Sequence, residues 1–301
     1  MGLSLFLSLP GFSHLVEAVS INVKDKRVKF KGLEPNSFAH PLDSSMREQL
    51  SQIPLIESVT RRVNAISEEA ITLDNLARSI KCGPNQIPKL YDELLTACKI
   101  LDIKEIPDLY VKQNPVPNAY TMAVQGKKPF IVVHSSTIDL LSPKELQSVI
   151  AHELGHIKCE HGIWITALNI LAILVDQLGG VGQLARPIIE NRLLEWQRSA
   201  EYTCDRAALL VSQDWKTVAN VMIKLSGGSS SYNADINVDA FLEQTELYEE
   251  TLNNSRLGST VMKGIESGAT HPFPIQRVKE LKKWYEGPAY RGLTNRRAQA
   301  L

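Results

Sequence analysis

Residues 142–161 read SPKELQSVIAHELGHIKCEH and hold three of the chain's seven histidines. The stretch opens with a strong helix signal. Ser142 can cap the helix, Pro143 suits its first position, and Glu145 completes a capping box. We therefore predict a helix over about 143–160, with the histidines in its second half.

Two of these histidines have the spacing of metal ligands. His152 and His156 lie one helical turn apart on the same face, so both imidazoles can reach one ion. Glu153 lies between them and can lean over the adjacent open coordination position. This HExxH arrangement supplies two nitrogen ligands and a carboxylate base for a zinc-bound water. It predicts one Zn²⁺ per chain, although so short a pattern also recurs by chance.

The residues just after this motif are poor candidates for a third ligand. His161 comes nine residues after His152 and would lie on the opposite side of a continuous helix. We interpret it as structural or exposed. Cys159 lies on the ligand face but deeper along the helix, and we interpret it as a buried small apolar residue.

An acidic pair on a second predicted helix, over about 187–211, is the better candidate. Glu201 and Asp205 are four residues apart and face the same direction. Glu201 can supply the third ligand, while Asp205 can accept the spare N–H of a ligand histidine. A solvated acidic face is the alternative. Alanines at 200, 207 and 208 favour a packed helix instead, where unpaired carboxylates would be costly.

Composition excludes several classes of protein. Lys+Arg and Asp+Glu both total 33 of the 301 residues, so no global field attracts nucleic acid. The four cysteines are far apart and form no CxxC pair, which favours a reducing, intracellular setting over a disulfide framework. Hydrophobic residues make up 44% of the chain, an ordinary share for a globular protein.

The pattern along the chain predicts three parts: an N-terminal extension at 1–80, a main domain at 81–290 and a tail at 291–301. Within the extension, alternating apolar residues at 21–33 predict a hairpin, and helical periodicity follows over about 42–78. Strands are expected within 108–124 and 129–136. Near the end, THPFPIQRVKELKKWYEG predicts a loop that enters a helix ended by Gly287.

Two apolar segments raise the question of membrane contact. Residues 1–12 lack a cationic n-region and a clear cleavage site, so they make a poor signal peptide. The run at 163–175 would reach only about 20 Å as a helix, short of a bilayer core of about 30 Å. A buried helix is the first interpretation of that run, and a re-entrant or membrane-surface segment is the second. The two segments could together contact a lipid surface.

Four blocks, SPKELQSVIAHELGHIKCEHG, SAEYTCDRAALL, PNAY and THPFPIQRVKEL, together resemble the HtpX-like/CAAX prenyl protease-like zinc metallopeptidases. These are gluzincins with an ExxxD third-ligand motif. The resemblance spans about residues 70–285 and is greatest to the plant-plastid and cyanobacterial branch. It implies an α+β, zincin-like domain, mostly helical with a small sheet and an antiparallel edge strand. Several relatives carry full transmembrane helices, whereas this chain has only the interrupted apolar run after Gly162.

The resemblance also implies roles for residues outside the two helices. Asn118, Ala119 and Tyr120 would form an edge strand facing an extended peptide, the alternative being an ordinary exposed edge. His271 would reach the site, where it could hydrogen-bond the oxyanion or compete for the open zinc position. It could also be an unrelated loop histidine. Arg277 either pairs with an acid below the site or is only structural.

The sequence thus predicts a zinc metalloendopeptidase acting on polypeptides, with a role in protein quality control or turnover. The alternative is a catalytically silent scaffold that binds unfolded or membrane-associated chains, but a purely structural zinc site has no need of Glu153. In a plant the expected location is the plastid, including its membrane or lipid-body surface; otherwise it is cytoplasmic or membrane-peripheral. Substrate identity and oligomeric state stay open.

Overall fold

The computed structural model describes residues 26–53, 60, 73–122, 128–177 and 179–298. The strands in these ranges are β1 (Ile80–Lys81), β2 (Asp108–Lys112), β3 (Ala119–Met122) and β4 (Phe130–His134). The helices are α1 (Pro41–Ser51), α2 (Pro88–Leu101), α3 (Ser135–Leu140), α4 (Pro143–Lys158), α5 (His161–Asp176), α6 (Gly180–Ser212), α7 (Trp215–Gly227), α8 (Val238–Asn254), α9 (Arg256–Gly268), α10 (Pro274–Glu286) and α11 (Pro288–Ala298). Residues 73–78 are also helical. The predicted α+β class, mostly helical with a small sheet, is confirmed.

The sheet has the order β1-β2-β4-β3. β2 and β4 run parallel, while β3 pairs antiparallel with β4 at one edge. All five residues of β4 are buried, as the apolar run FIVV requires of a strand covered on both faces, and Nδ1 of His134 at its end lies 2.8 Å from the carbonyl oxygen of Val116. β3 is only half-buried. The strands predicted within 108–124 and 129–136 are therefore present, with an antiparallel edge as expected.

The centre of the molecule is the packing of α4 against α6. Leu154 of α4 and Leu209 of α6 are fully buried in the same apolar core. At Gly155 the two helices approach so closely that a Cβ would lie 3.0 Å from the Cα of Cys204 and 3.0 Å from the Cβ of Ala207. Small residues at this crossing bring the motif on α4 next to the acidic pair on α6.

The break after α4 differs from the prediction. α4 ends at Lys158, and Glu160 takes a left-handed conformation with φ of 53°. α5 then begins at His161, with its axis bent by 52° from that of α4. The sequence predicted a continuous helix that would place His161 on the side opposite His152. Because the helix breaks at Glu160, His161 does not take that position.

The N-terminal residues in the described ranges pack onto the main core. Phe30 is fully buried among residues of α2 and α4, and its N–H donates to the carbonyl of Ile100 at 2.8 Å. The first half of the hairpin predicted at 21–33 lies outside the described residues. Its second half is not a strand. The side-chain amide of Gln213 instead binds the backbone of Val28, accepting from its N–H and donating to its carbonyl. The domain boundary at residue 80 stays a prediction.

Of the helices in the described ranges, none alone is long and apolar enough to cross a membrane. α4 and His161–Val175 together have the length and composition of a broken span, bent by 52°. Within α5, Trp164 and Leu168 are buried, whereas Ile173 and Leu174 are exposed at its end. The first interpretation, a buried helix, therefore fits the start of α5 but not its last turn.

The contact at Gly155 generates a stability prediction. Gly155→Ala should lower the free energy of unfolding by about 1–3 kcal/mol, because the added methyl meets the α6 backbone. Gly264→Ala is the control, since nothing lies within 4 Å of its added Cβ on the exposed face of α9. It should raise stability by up to about 1 kcal/mol. Urea unfolding of the metal-free protein measures both, and a neutral Gly155→Ala would show that the crossing tolerates a methyl group.

Candidate metal centre

Three side chains from α4 and α6 converge on one point. Nε2 of His152 lies 3.4 Å from Oε2 of Glu201, and Nε2 of His156 lies 3.5 Å from Oε1 of the same carboxylate. Two ligands each about 2.1 Å from a tetrahedral zinc ion are themselves roughly 3.4 Å apart. These two distances and the donor types, two imidazoles and a carboxylate, are compatible with a zinc site.

Cys204 is a further donor that the sequence analysis did not consider. Its Sγ and ring nitrogens of His152 and His156 lie within 4.8 Å of one another. Burial, however, raises the pKa of this thiol well above its ordinary value, and a protonated thiol is a poor metal ligand. Its Sγ also lies 3.7 Å from Nδ1 of His161. Glu201, which faces both Nε2 atoms, is therefore the better candidate for a third ligand.

The far side of His152 meets an ion pair. Nδ1 of His152 lies 3.1 Å from Oδ1 of Asp205. Arg277 of α10 holds both oxygens of that carboxylate, with Nη2 2.6 Å from Oδ1 and Nε 2.9 Å from Oδ2. Its Nη1 is also 3.4 Å from Oε2 of Glu201. Arg277 thus pairs with both acids, the first of the two alternatives left open by the sequence.

Burial disfavours the charged forms of His152, Glu201 and Asp205, so the charges beside each side chain decide its protonation state. Burial lowers the pKa of His152, but the carboxylates of Asp205 and Glu201 outweigh it and raise that pKa to about 10. Burial raises the pKa of both acids, yet His152 and Arg277 hold each pKa below its ordinary value. In the metal-free protein His152 is therefore a cation between two carboxylates, and a metal ion must displace its proton.

The far side of His156 meets a different group. Its Nδ1 lies 3.0 Å from Nδ1 of His161, whose Nε2 lies 3.2 Å from Oδ2 of Asp43 in α1. Both partners are buried. Burial lowers the pKa of His161, which favours the neutral ring. Cys159 is buried as expected, but His161, interpreted as structural or exposed, contacts a candidate ligand directly.

A cleft opens on the same residues from both sides. Two cavities, of about 410 Å³ and about 340 Å³, share Ala119, His152, Glu153, Glu201 and His271 in their walls. Burial raises the pKa of Glu153. Nε2 of His271 lies 3.5 Å from Oε1 of Glu201, although most of the His271 side chain is exposed. The structure therefore brings Glu153 and His271 to the same place as the three candidate ligands.

The edge strand β3 forms one wall of this cleft. Asn118 precedes the strand, and its carbonyl accepts from the N–H of His134 at 2.9 Å. Antiparallel strands alternate the direction of their main-chain groups. Tyr120 therefore also points its main chain toward β4, while Ala119 and Thr121 point theirs toward the free edge. Of the three residues predicted to meet a peptide, Ala119 is the one whose main chain faces the free edge, and its N–H donates to Oδ1 of Asn118 at 2.9 Å.

Comparison with known proteins gives a consistent family. Residues 85–285 match the family model described as Peptidase family M48. A relative from Arabidopsis thaliana, "Plastoglobule-localized metallopeptidase 48, chloroplastic", is 46% identical over 268 residues. That match covers 89% of this chain and 77% of the relative.

The chain also has more distant similarities. "Protease HtpX homolog 2" of Methanosarcina acetivorans is 26% identical over 167 residues, which are 48% of this chain and 56% of that protein. Among solved structures, Ste24p of S. mikatae shares 15% identity with a TM-score of 0.45. The alignment covers 80% of this chain and 61% of that one.

The ion pair below the site gives a testable energy. Arg277→Met should lower the free energy of unfolding of the metal-free protein by about 3 kcal/mol, because it leaves buried carboxylates unpaired. Asp205→Asn should lower the free energy of unfolding by less in the Arg277→Met background than in the wild-type background, since the two residues interact. Urea unfolding measures this cycle. Arg192→Met, which breaks an exposed pair with Glu195, is the control and should change stability by less than about 0.5 kcal/mol. Additive effects of the Arg277 and Asp205 changes would contradict the pairing.

Proposed function

Because this chain belongs to peptidase family M48, we propose that it is a zinc-dependent endopeptidase. One observation carries the proposal: Nε2 of His152 and of His156 lie 3.4 and 3.5 Å from the carboxylate of Glu201. These residues would hold the ion, leaving the fourth position open toward the cleft. Glu153 borders that position and would be the general base.

The ion, when bound, supplies a Lewis acid and lowers the pKa of a coordinated water toward about 7. The carboxylate of Glu153 takes the proton of the attacking water and passes it to the leaving amine. Burial raises the pKa of Glu153, which brings it closer to the working pH and makes its protonated form a usable acid for the second step. Asp205 and Arg277 orient His152.

His271 approaches from the loop before α10. Its Nε2 lies beside Oε1 of Glu201, on the side of the three candidate ligands that borders the cleft. From there it would donate a hydrogen bond to the oxyanion of the tetrahedral intermediate, or occupy the open position in a latent form of the enzyme. In both roles the ring of His271 must reach the candidate ligands. The first role applies when substrate is bound and the second when it is absent.

The walls of the cleft favour an extended polypeptide. The outward main-chain groups of β3 would pair with the substrate backbone, which places few demands on its side chains. Beyond Glu153, the second cavity is lined by apolar side chains such as Val218, Val221 and Met222. It would accept an apolar side chain next to the scissile bond. Unfolded chains offer both features, which supports a role in protein quality control or turnover.

The name of the Arabidopsis thaliana relative suggests a location in the plastid at a lipid-body surface. The structure offers a surface for such contact. α5 and α6 pack against each other as a helical hairpin, and its tip, formed by the end of α5 and the start of α6, exposes Ile173, Leu174, Leu184 and Ile188. Apolar side chains grouped at one exposed tip are typical of a membrane-surface contact. Residues 1–12, the other segment proposed to contact lipid, lie outside the described residues.

Two variants test the chemistry. Glu153→Gln should retain one zinc per chain and lose about 10²–10⁴-fold in the hydrolysis of casein, because it removes the base and keeps the ligands. Glu201→Ala should lose both zinc and activity. Metal content by mass spectrometry and casein hydrolysis after adding zinc measure these effects.

Full proteolysis by Glu153→Gln would refute the mechanism. Stoichiometric, tightly held zinc in Glu201→Ala would require another third ligand, such as Cys204. If the wild-type protein binds unfolded casein equally with and without chelator and cleaves no peptide, the scaffold alternative would replace the enzyme.

The hairpin tip gives a separate prediction. Leu184→Glu/Ile188→Glu should reduce partitioning onto phosphatidylcholine vesicles by about 10-fold or more, since it removes two exposed apolar side chains. Leu257→Glu/Val261→Glu, on the exposed face of α9, is the matched control and should float like wild type. Vesicle flotation measures all three proteins. Equal flotation of the hairpin variant and wild type would exclude the tip as the contact.

A further inference from the structure

The two candidate histidine ligands are oriented in different ways. Nδ1 of His152 lies beside a carboxylate, that of Asp205. The corresponding nitrogen of His156 faces another imidazole, with the two Nδ1 atoms of His156 and His161 3.0 Å apart. A pair of ring nitrogens at this distance can share only one hydrogen, so one ring donates and the other accepts.

Asp43 decides which ring donates, because its carboxylate is already surrounded by donors. Oδ1 accepts from Nε1 of Trp196 at 2.9 Å and from Nε of Arg47 at 3.2 Å. Oδ2 accepts from the hydroxyl of Thr203 at 2.8 Å and lies 3.2 Å from Nε2 of His161. An ionised carboxylate can only accept hydrogen bonds, so Nε2 of His161 carries a hydrogen.

The consequence passes along the chain of contacts. With its Nε2–H directed at Asp43, His161 has Nδ1 as the ring atom left to accept the one hydrogen that the two Nδ1 atoms share. His156 must then donate from its own Nδ1, which leaves the lone pair on its Nε2. That is the atom that lies 3.5 Å from Oε1 of Glu201, at the point where the three candidate ligands converge.

We propose that Asp43 and His161 are positioning residues that fix the tautomer and ring orientation of His156 for metal binding, as Asp205 does for His152. This inference rests on the proposed zinc peptidase function. It also assigns a role to the N-terminal segment. Asp43 lies on α1, outside the residues that match the family model, which begin at 85.

The start of α1 is fastened to the helix that carries the acidic ligand. The hydroxyl of Thr203 accepts from the N–H of His40 at 2.9 Å and donates to Asp43. Nη1 of Arg206 donates to the carbonyl of Ala39 at 2.8 Å. Both anchoring residues belong to α6, so Asp43, His161 and Glu201 are held on one frame.

Substitutions at His161 separate hydrogen bonding from packing. His161→Leu removes both nitrogens and should weaken zinc binding by about 10–100-fold. In His161→Gln, the amide oxygen can accept from His156 while the amide N–H₂ donates to Asp43, so zinc affinity should stay within about threefold of wild type. Leu94→Ala opens the core at α2 without removing a polar contact of His156 and controls for lost stability alone. Competition with a chromophoric chelator gives the zinc affinity, and urea unfolding of each metal-free variant gives its stability.

Asp43→Asn tests the direction of the hydrogen bonds. Both carboxylate oxygens of Asp43 face donors, so the N–H₂ group of the new amide meets a donor in either orientation. The least costly response is for His161 to move its hydrogen from Nε2 to Nδ1. Zinc affinity should fall by about 10–100-fold. In the metal-free protein, ¹⁵N spectra of labelled histidine rings should report a hydrogen on Nε2 of His161 in wild type and on Nδ1 in the variant.

The outcomes distinguish this inference from the proposed function. A wild-type protein that binds no zinc refutes the function itself. If wild type binds zinc and cleaves casein while His161→Leu keeps its affinity within threefold, only the positioning role is overturned. The role also fails if zinc affinity falls equally in the Leu, Gln and Leu94→Ala variants, or if Asp43→Asn leaves the tautomer of His161 unchanged. Loss in the Leu and Asn variants with retention in the Gln variant supports it.

Discussion

The structure depends on one carboxylate held where burial alone would neutralise it. Glu201 is buried, yet two imidazoles and the guanidinium of Arg277 surround it and keep its pKa low. This grouping of side chains around one acid depends on the crossing of α4 and α6 at Gly155, where almost no space is left between the helices. Longer side chains at the crossing would separate the acid from the imidazoles. The helix crossing and the charge arrangement therefore depend on each other.

Around this centre, each candidate histidine ligand is supported by a separate carboxylate, and each carboxylate has its own donors. Asp205 is held by Arg277 of α10, and Asp43 by Trp196 and Thr203 of α6 and by Arg47 of α1. Elements distant in sequence thus converge on the Nδ1 sides of His152 and His156, while both rings also border the cleft. Such an arrangement leaves the ligand atoms little freedom to turn, which preorganises a site for its metal.

Local periodicity was enough to predict much of this. Capping signals and four-residue spacings place His152, His156, Glu201 and Asp205 on two helices, and they fold as expected with these side chains facing one another. The fold class followed from the same signals together with the resemblance. What local patterns could not show was the break after α4, because Glu160 takes a left-handed conformation without the glycine or asparagine that usually marks one. The contact of His161 with Asp43 spans 118 residues, and no spacing rule reaches that far.

In the proposed site, two imidazoles and one carboxylate would hold the ion, so its protein ligands would be nitrogen and oxygen without sulfur. Cys204 makes sulfur a real alternative, since its thiol lies close to the same two rings. X-ray absorption at the zinc edge of stoichiometrically loaded protein tests the claim most directly. Our account predicts two imidazoles and oxygen ligands at about 2.0–2.2 Å, with no sulfur in the first shell. A sulfur neighbour at about 2.3 Å would contradict it.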